Sequence, residues 1–184
     1  MTEHRGPQRP LLALRPLSVT DAEAMADVLA DPALHVYTGG EPAAREELER
    51  RYAVQVQGGP PDGSERWLNL VVLLGEERRP IGYVQATIPV GGESAEIAWV
   101  IGSPWQARGF GSRAASLLVS ELAMLGIREL LAHIHPKHSA SQRVARSLGM
   151  SPTETVVDGE VRWTGSLDAD ACDDGHPGGG IGAR

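Results

Sequence analysis

Cysteine is almost missing from this chain. Cys172 is the single one among 184 residues, so no disulfide can form within the chain. Phenylalanine occurs once and tyrosine three times, so a core must rest on Leu, Val, Ile and Ala, helped by four Trp. No apolar run approaches the roughly 18 residues that a membrane helix needs. The opening residues, MTEHRGPQRP, hold no apolar stretch like that of a secretion signal. An excess of positive charge is missing too. A formal net charge of −7 opposes general nucleic-acid binding, which needs a cationic surface to displace counterions, but it leaves room for a local basic pocket. These absences point to a cytoplasmic protein with neither membrane nor nucleic acid as partner. What is present suffices for one domain, since 41% hydrophobic and 22% charged residues are ordinary for a soluble chain of this length.

The apolar pattern orders the chain. Residues 1–9 are polar and read as a loose N-terminus. LLALRPLS (11–18) reads as a strand, and TDAE (20–23) fits a capping box in which Thr20 and Glu23 start a short helix ending near Ala30. PAAREELERRYAVQV (42–56) reads as a second helix with Pro42 at its first position. WLNLVVLL (67–74), PIGYVQATIPV (80–90) and SAEIAWVIG (94–102) are strand-like, and the short links between them favour antiparallel neighbours. SRAASLLVSELAMLG (112–126) has helical spacing, IRELLAHIHP (127–136) is strand-like, and SASQRVARSLG (139–149) is helical. Asp158-Gly159 in TVVDGEVRW (155–163) marks a hairpin. The acidic, Gly-rich tail from Ser166 to Arg184 reads as disordered. The domain expected over residues 10–165 is a layered, mixed α/β unit of the α+β kind.

WQARGFGSRA (105–114) joins a strand to a helix and holds two glycines. A plain turn with convenient glycines is one reading. A dinucleotide loop is a second, since GFGSRA fits G-x-G-x-x-A. The preceding strand closes an antiparallel run, however, and about 75 residues remain, too few for the second half of such a domain. A triphosphate loop needs Gly-Lys-Ser/Thr, which does not occur. The accepted reading is an anion site, in which unpaired amides and the helix dipole favour a phosphate or pyrophosphate, aided by Arg108 and Arg113.

Gln106-Ala107-Arg108-Gly109-Phe110-Gly111 resembles the Q/R-x-x-G-x-G/A motif of the GNAT superfamily of acetyl-CoA-dependent N-acetyltransferases. RPLSVTDAEAMADVLADPAL resembles that family's opening strand and helix, and HIHPKHSASQRVARSLGM its later strand and helix. The similarity spans about residues 10–165 and is nearest to the ribosomal-protein N-terminal acetyltransferase (RimJ/RimL-type) group. It implies a GNAT-like acyl-CoA N-acyltransferase fold: a mixed, mostly antiparallel sheet with a splayed central strand pair and flanking helices. It also implies acetyl-CoA as co-substrate, a primary amine as acceptor, and direct attack in a ternary complex.

The resemblance assigns roles. The main chain near Val100 and Ile101 would pair with the pantetheine. Gln106, Arg108, Gly109, Phe110, Gly111 and Ser112 form the pyrophosphate loop. His138 stands where relatives often carry Asn and would donate to a pantetheine carbonyl. Ser141 would protonate the leaving thiolate, or solvent would, because Ala145 occupies the position of the Tyr acid that many members use. Glu96, which shares a strand face with the small Ala98 and with Val100, is the candidate base, the alternative being a solvated carboxylate. His133, His135 and His138 invite a metal reading, but no Cys or carboxylate nearby in sequence completes the ligand set. Tyr37 is a lesser acceptor-side candidate. Glu41, Glu46, Glu47 and Asp158 mildly favour a cationic acceptor. The rival to an enzyme is a catalytically weak CoA-binding regulatory module. Exposed strand edges permit a homodimer.

Overall fold

The structure, a computed structural model, describes residues 10–37 and 39–167. Cys172 and the tail beyond residue 167 lie outside the described residues, as do residues 1–9. Seven strands form one sheet: β1 (Leu12–Pro16), β2 (Glu65–Leu74), β3 (Arg79–Pro89), β4 (Ser94–Ile101), β5 (Glu129–Ile134), β6 (Ser151–Val157) and β7 (Glu160–Ser166). Their spatial order is β1-β2-β3-β4-β5-β7-β6. Every neighbouring pair is antiparallel except β4 and β5, which run parallel. The helices are α1 (Ala22–Val28), α2 (Arg45–Gln55), α3 (Phe110–Met124) and α4 (Ser139–Ser147). No helix among the described residues is long and apolar enough to cross a membrane.

Alternation along the strands feeds two cores. Ala95, Ile97, Leu130, Ala132 and Trp163 point to the face covered by α3, whose Ala114, Leu118 and Leu122 are fully buried. Val71, Leu73 and Tyr83 point to the opposite face, where Met25 of α1 and Leu48 and Tyr52 of α2 cover them. Trp67 and Trp99 are half-buried, and Trp105 packs against both cores.

Local signals differ from the sequence expectation at three points. The capping box is Ser18 with Asp21, not Thr20 with Glu23. Ser18 N–H donates to Asp21 Oδ2 at 2.8 Å, and the buried Asp21 carboxylate is paired with Arg15. The α2 helix starts at Arg45, because Ala44 is extended (φ −67°, ψ 159°), which leaves Pro42 outside. The hairpin turn falls on Asp158 and Gly159, both at positive φ, but β6 begins at Ser151. β6 is an edge strand, where Pro152 forfeits no interior ladder bond.

Candidate active site at the β4–β5 wedge

β4 and β5 pair over three rungs only, Ser94 with Glu129, Ala95 with Leu130, and Glu96 with Leu131. Beyond that point β4 stays in register with β3 through Ile101, while β5 stays paired with β7 through Ile134. The central strands therefore diverge, and a wedge opens with Glu96 at its apex. Gly102 N–H donates to Ile81 O at 2.8 Å. Strand alternation then turns the main chain of Gly102 and Val100 toward β3, and that of Ile101 and Trp99 into the wedge. Of the two residues expected to meet a pantetheine, Ile101 turns its N–H into the wedge, with its carbonyl accepting from Gln106, while the main chain of Val100 turns toward β3.

The wedge leads to the glycine loop. Gln106 is exposed, but its side-chain amide is engaged within the chain. Its Nε2 donates to Ile101 O at 2.9 Å and ties the loop to the end of β4. Gly109 is the N-cap of α3 at φ 75°, a left-handed conformation that costs glycine little. Lacking a side chain, it caps nothing, and the first helical bond is Arg113 N–H to Gly109 O at 3.2 Å. The amides of Phe110, Gly111 and Ser112 are therefore left for another acceptor at the positive end of a 15-residue helix. Gly111 has a different reason to be glycine. A Cβ there would stand 3.3 Å from Val144 Cγ2, so its bareness lets α4 close on α3. Arg108 is exposed, with its guanidinium 5.0 Å over the buried Phe110 ring, while Arg113 is held by Pro10 O at 2.8 Å.

At the apex, His133 Nδ1 lies 3.0 Å from Glu96 Oε1. His133 sits one step beyond the last rung, on the same sheet face as Glu96. Its cross-strand partner on β7 is Arg162, whose Nε stands 3.5 Å from His133 Nε2. The Glu96 side chain is 53% exposed. A pair that open is worth only about 0.2–1 kcal/mol of stability, so its importance lies in where it holds the carboxylate.

At the other side of the wedge, α4 carries His138 as its N-cap and Ser141 in its first turn. The His138 ring stacks on Tyr37 with centroids 4.6 Å apart, and Tyr37 also meets His135 at 5.1 Å. Burial, then the neighbouring His135 and Arg143, push the His138 pKa down. Ser141 is half-buried as a residue, and its hydroxyl makes no hydrogen bond among the described residues.

The acetyltransferase (GNAT) domain family matches residues 12–151 of this sequence. The chain belongs to that family. No curated protein matches it in sequence. Solved structures share the fold of this GNAT acetyltransferase at low identity. A ribosomal L7/L12 α-N-protein acetyltransferase in complex with coenzyme A is 18% identical, with a TM-score of 0.71, covering 86% of this chain and 96% of its own. A spermidine N-acetyltransferase from Vibrio cholerae, in complex with coenzyme A and spermine, is 20% identical with a TM-score of 0.66, covering 84% and 95%. An acetyltransferase from Thermus thermophilus is 21% identical with a TM-score of 0.70, covering 85% and 97%. GNAT enzymes use acetyl-CoA as acetyl donor.

Two further features of this GNAT enzyme were not legible in its sequence. Between α1, α2 and the sheet lies a cavity of about 130 Å³, lined among others by Arg51, Tyr52, Asn69, Tyr83 and Gln85. Gln85 donates to Asn69 Oδ1 at 2.7 Å, and Asn69 donates to Gln55 O at 3.2 Å, which fixes both amides. Burial raises the Tyr83 pKa and pushes that of Tyr52 up to about 12, so both stay protonated. Gln85 is paired with Ala98, one step along β4 from Glu96. The second feature is the separation of the histidines. His133 turns to Glu96, while His135 and His138 turn to Tyr37. Among the described residues, no three His, Cys, Asp or Glu side chains are grouped to hold a metal. Of the acidic residues on α2, Glu47 is paired with Arg51 at 3.0 Å and Glu49 with Arg45 at 2.8 Å.

Proposed function

We propose that this GNAT enzyme moves the acetyl group of acetyl-CoA to a primary amine by direct attack in a ternary complex, in the cytoplasm and without a metal. The observation that carries the reading is the coincidence of three things: a β4–β5 ladder that stops at Glu96, uncapped amides at residues 110–112, and a carboxylate at the apex between them. The amides and the exposed Arg108 would hold the pyrophosphate, and the main chain of Ile101 and Trp99 would take the pantetheine as a false strand. Glu96 accepts the proton of the acceptor's ammonium group. The freed lone pair attacks the thioester carbonyl, the N–C bond forms and the C–S bond breaks; the thiolate takes a proton from Ser141 or from solvent, and the second proton shed by the new amide nitrogen restores that donor. The acceptor's body would lie over Ala98 toward Gln85 and Tyr83. The edge strand β6, exposed over most of its length, is available for a homodimer.

A thiol-release assay with acetyl-CoA and a panel of amines tests this, preceded by a melting scan with and without acetyl-CoA. The reading predicts a raised melting temperature and amine-dependent release of CoA. A raised melting temperature with no turnover on any amine would favour a binding module, and no shift at all would remove the acetyl-CoA assignment.

A further inference from the structure

We propose that His133 is a positioning residue for Glu96, fixing which carboxylate oxygen faces the acceptor amine; the proposal rests on the reading of Glu96 as the base. Three observations converge on it.

The first is place. Glu96 and Leu131 form the last rung between β4 and β5, and His133 stands on the same face one step further along. Beyond that rung no main-chain bond between the two strands restrains Glu96. The side-chain bridge at 3.0 Å continues the connection where the ladder stops.

The second is the inventory of protons. Arg162 has only donors to offer, so at 3.5 Å its Nε must meet a lone pair on His133 Nε2. The imidazole proton is then on Nδ1 and is donated to Glu96 Oε1. Strand order puts β7 on the far side of β5 from β4, so Nε2 is turned away from the wedge. His133 therefore does not present its own lone pair to an amine in the wedge.

The third is what remains free. Oε1 is the bonded oxygen of Glu96, and Oε2 has no partner among the described residues. One oxygen is held and the other is left to receive a proton. Only proton movement is involved: the ammonium N–H breaks, the Glu96 Oε2–H bond forms, and the imidazole keeps its proton throughout.

The test uses the full chain, acetyl-CoA and an amine identified by thiol release. His133→Ala, His133→Asn, Glu96→Gln and the double variant Glu96→Gln/His133→Ala are compared in kcat, KM and melting temperature with and without acetyl-CoA. In His133→Ala, kcat is expected to fall by roughly tenfold or more, with the acetyl-CoA-induced melting shift preserved. Asn can place an amide N–H near the position of Nδ1, so His133→Asn is expected to recover most of the lost kcat. His133→Ala is expected to add nothing to the loss in Glu96→Gln, because the two act as a unit. Wild-type kcat in His133→Ala, no recovery in His133→Asn, or a fully additive double variant overturns the positioning role while leaving Glu96 as base. Full activity in Glu96→Gln overturns the base reading itself. If His133→Ala melts too low to assay, His133→Asn against His133→Leu, both near the size of the ring's inner half, decides the matter on the same terms.

Discussion

Glu96 and His133 come from strands separated by a whole helix, yet their side chains meet at 3.0 Å where those strands part. A carboxylate at a wedge apex with one oxygen held is suited to take a proton from an amine entering from the open side. Glu96→Gln keeps shape and hydrogen bonding but cannot accept that proton. Its kcat/KM is expected to fall about 10²–10⁴-fold, while acetyl-CoA still raises the melting temperature. Steady-state kinetics beside a thermal scan check both halves.

Gly109 caps α3 in a left-handed conformation with open space where a Cβ would be, so backbone conformation is the constraint there, not room. Gly109→Val forces a β-branched residue to φ 75°, at a cost of about 1–3 kcal/mol, and is expected to abolish the acetyl-CoA melting shift. Gly109→Asn, a residue that tolerates this region, is expected to lose less stability. Equal melting temperatures for the two variants would contradict the backbone argument.

Gly111 faces Val144, and a methyl group there would already be tight. Gly111→Leu overpacks the α3–α4 contact and is expected to cost about 1–3 kcal/mol. Chemical denaturation measures it, and an unchanged midpoint would show that the helices can part freely.

The buried environment of His138 and its neighbours His135 and Arg143 hold its pKa below the ordinary value of 6.5. Between the lowered native pKa and 6.5 the unfolded chain binds a proton that the native chain does not, so stability rises with pH through that window. It is complete above about pH 6.5 and is lost as the pH falls toward the native pKa. Melting temperatures taken across this range are expected to drop on the acid side, and His138→Asn is expected to flatten that drop. An identical profile for the variant would remove His138 as the source.

Much of the layered fold is visible in the sequence because its signals are local. The period of the α3 segment, the alternation in 94–101 and the Asp158-Gly159 turn each act within a few residues. Ser18 outcompetes Thr20 as the cap because Asp21, three residues on, is fixed by Arg15, a contact that no spacing rule contains. The site is legible in part. The glycine motif and Glu96 can be named from the chain alone, but the partner of Glu96 cannot. The parallel β4–β5 pairing is a tertiary contact that no local pattern encodes, and it is this pairing that brings residue 133 to residue 96. The same holds for Tyr37, which reaches His135 and His138 across about 100 residues of chain. Gln106 is a motif residue whose Nε2 donates to Ile101 O, a contact that the motif alone does not reveal.

For acetyl transfer to run as described, the wedge and the uncapped helix start must belong to one binding groove. Titration of the isotope-labelled protein with coenzyme A, followed by backbone amide NMR, examines that directly. The largest shift changes are predicted at the amides of 110–112 together with those of Trp99 and Ile101. Saturable binding that moves amides elsewhere and leaves both of these sets in place would contradict it.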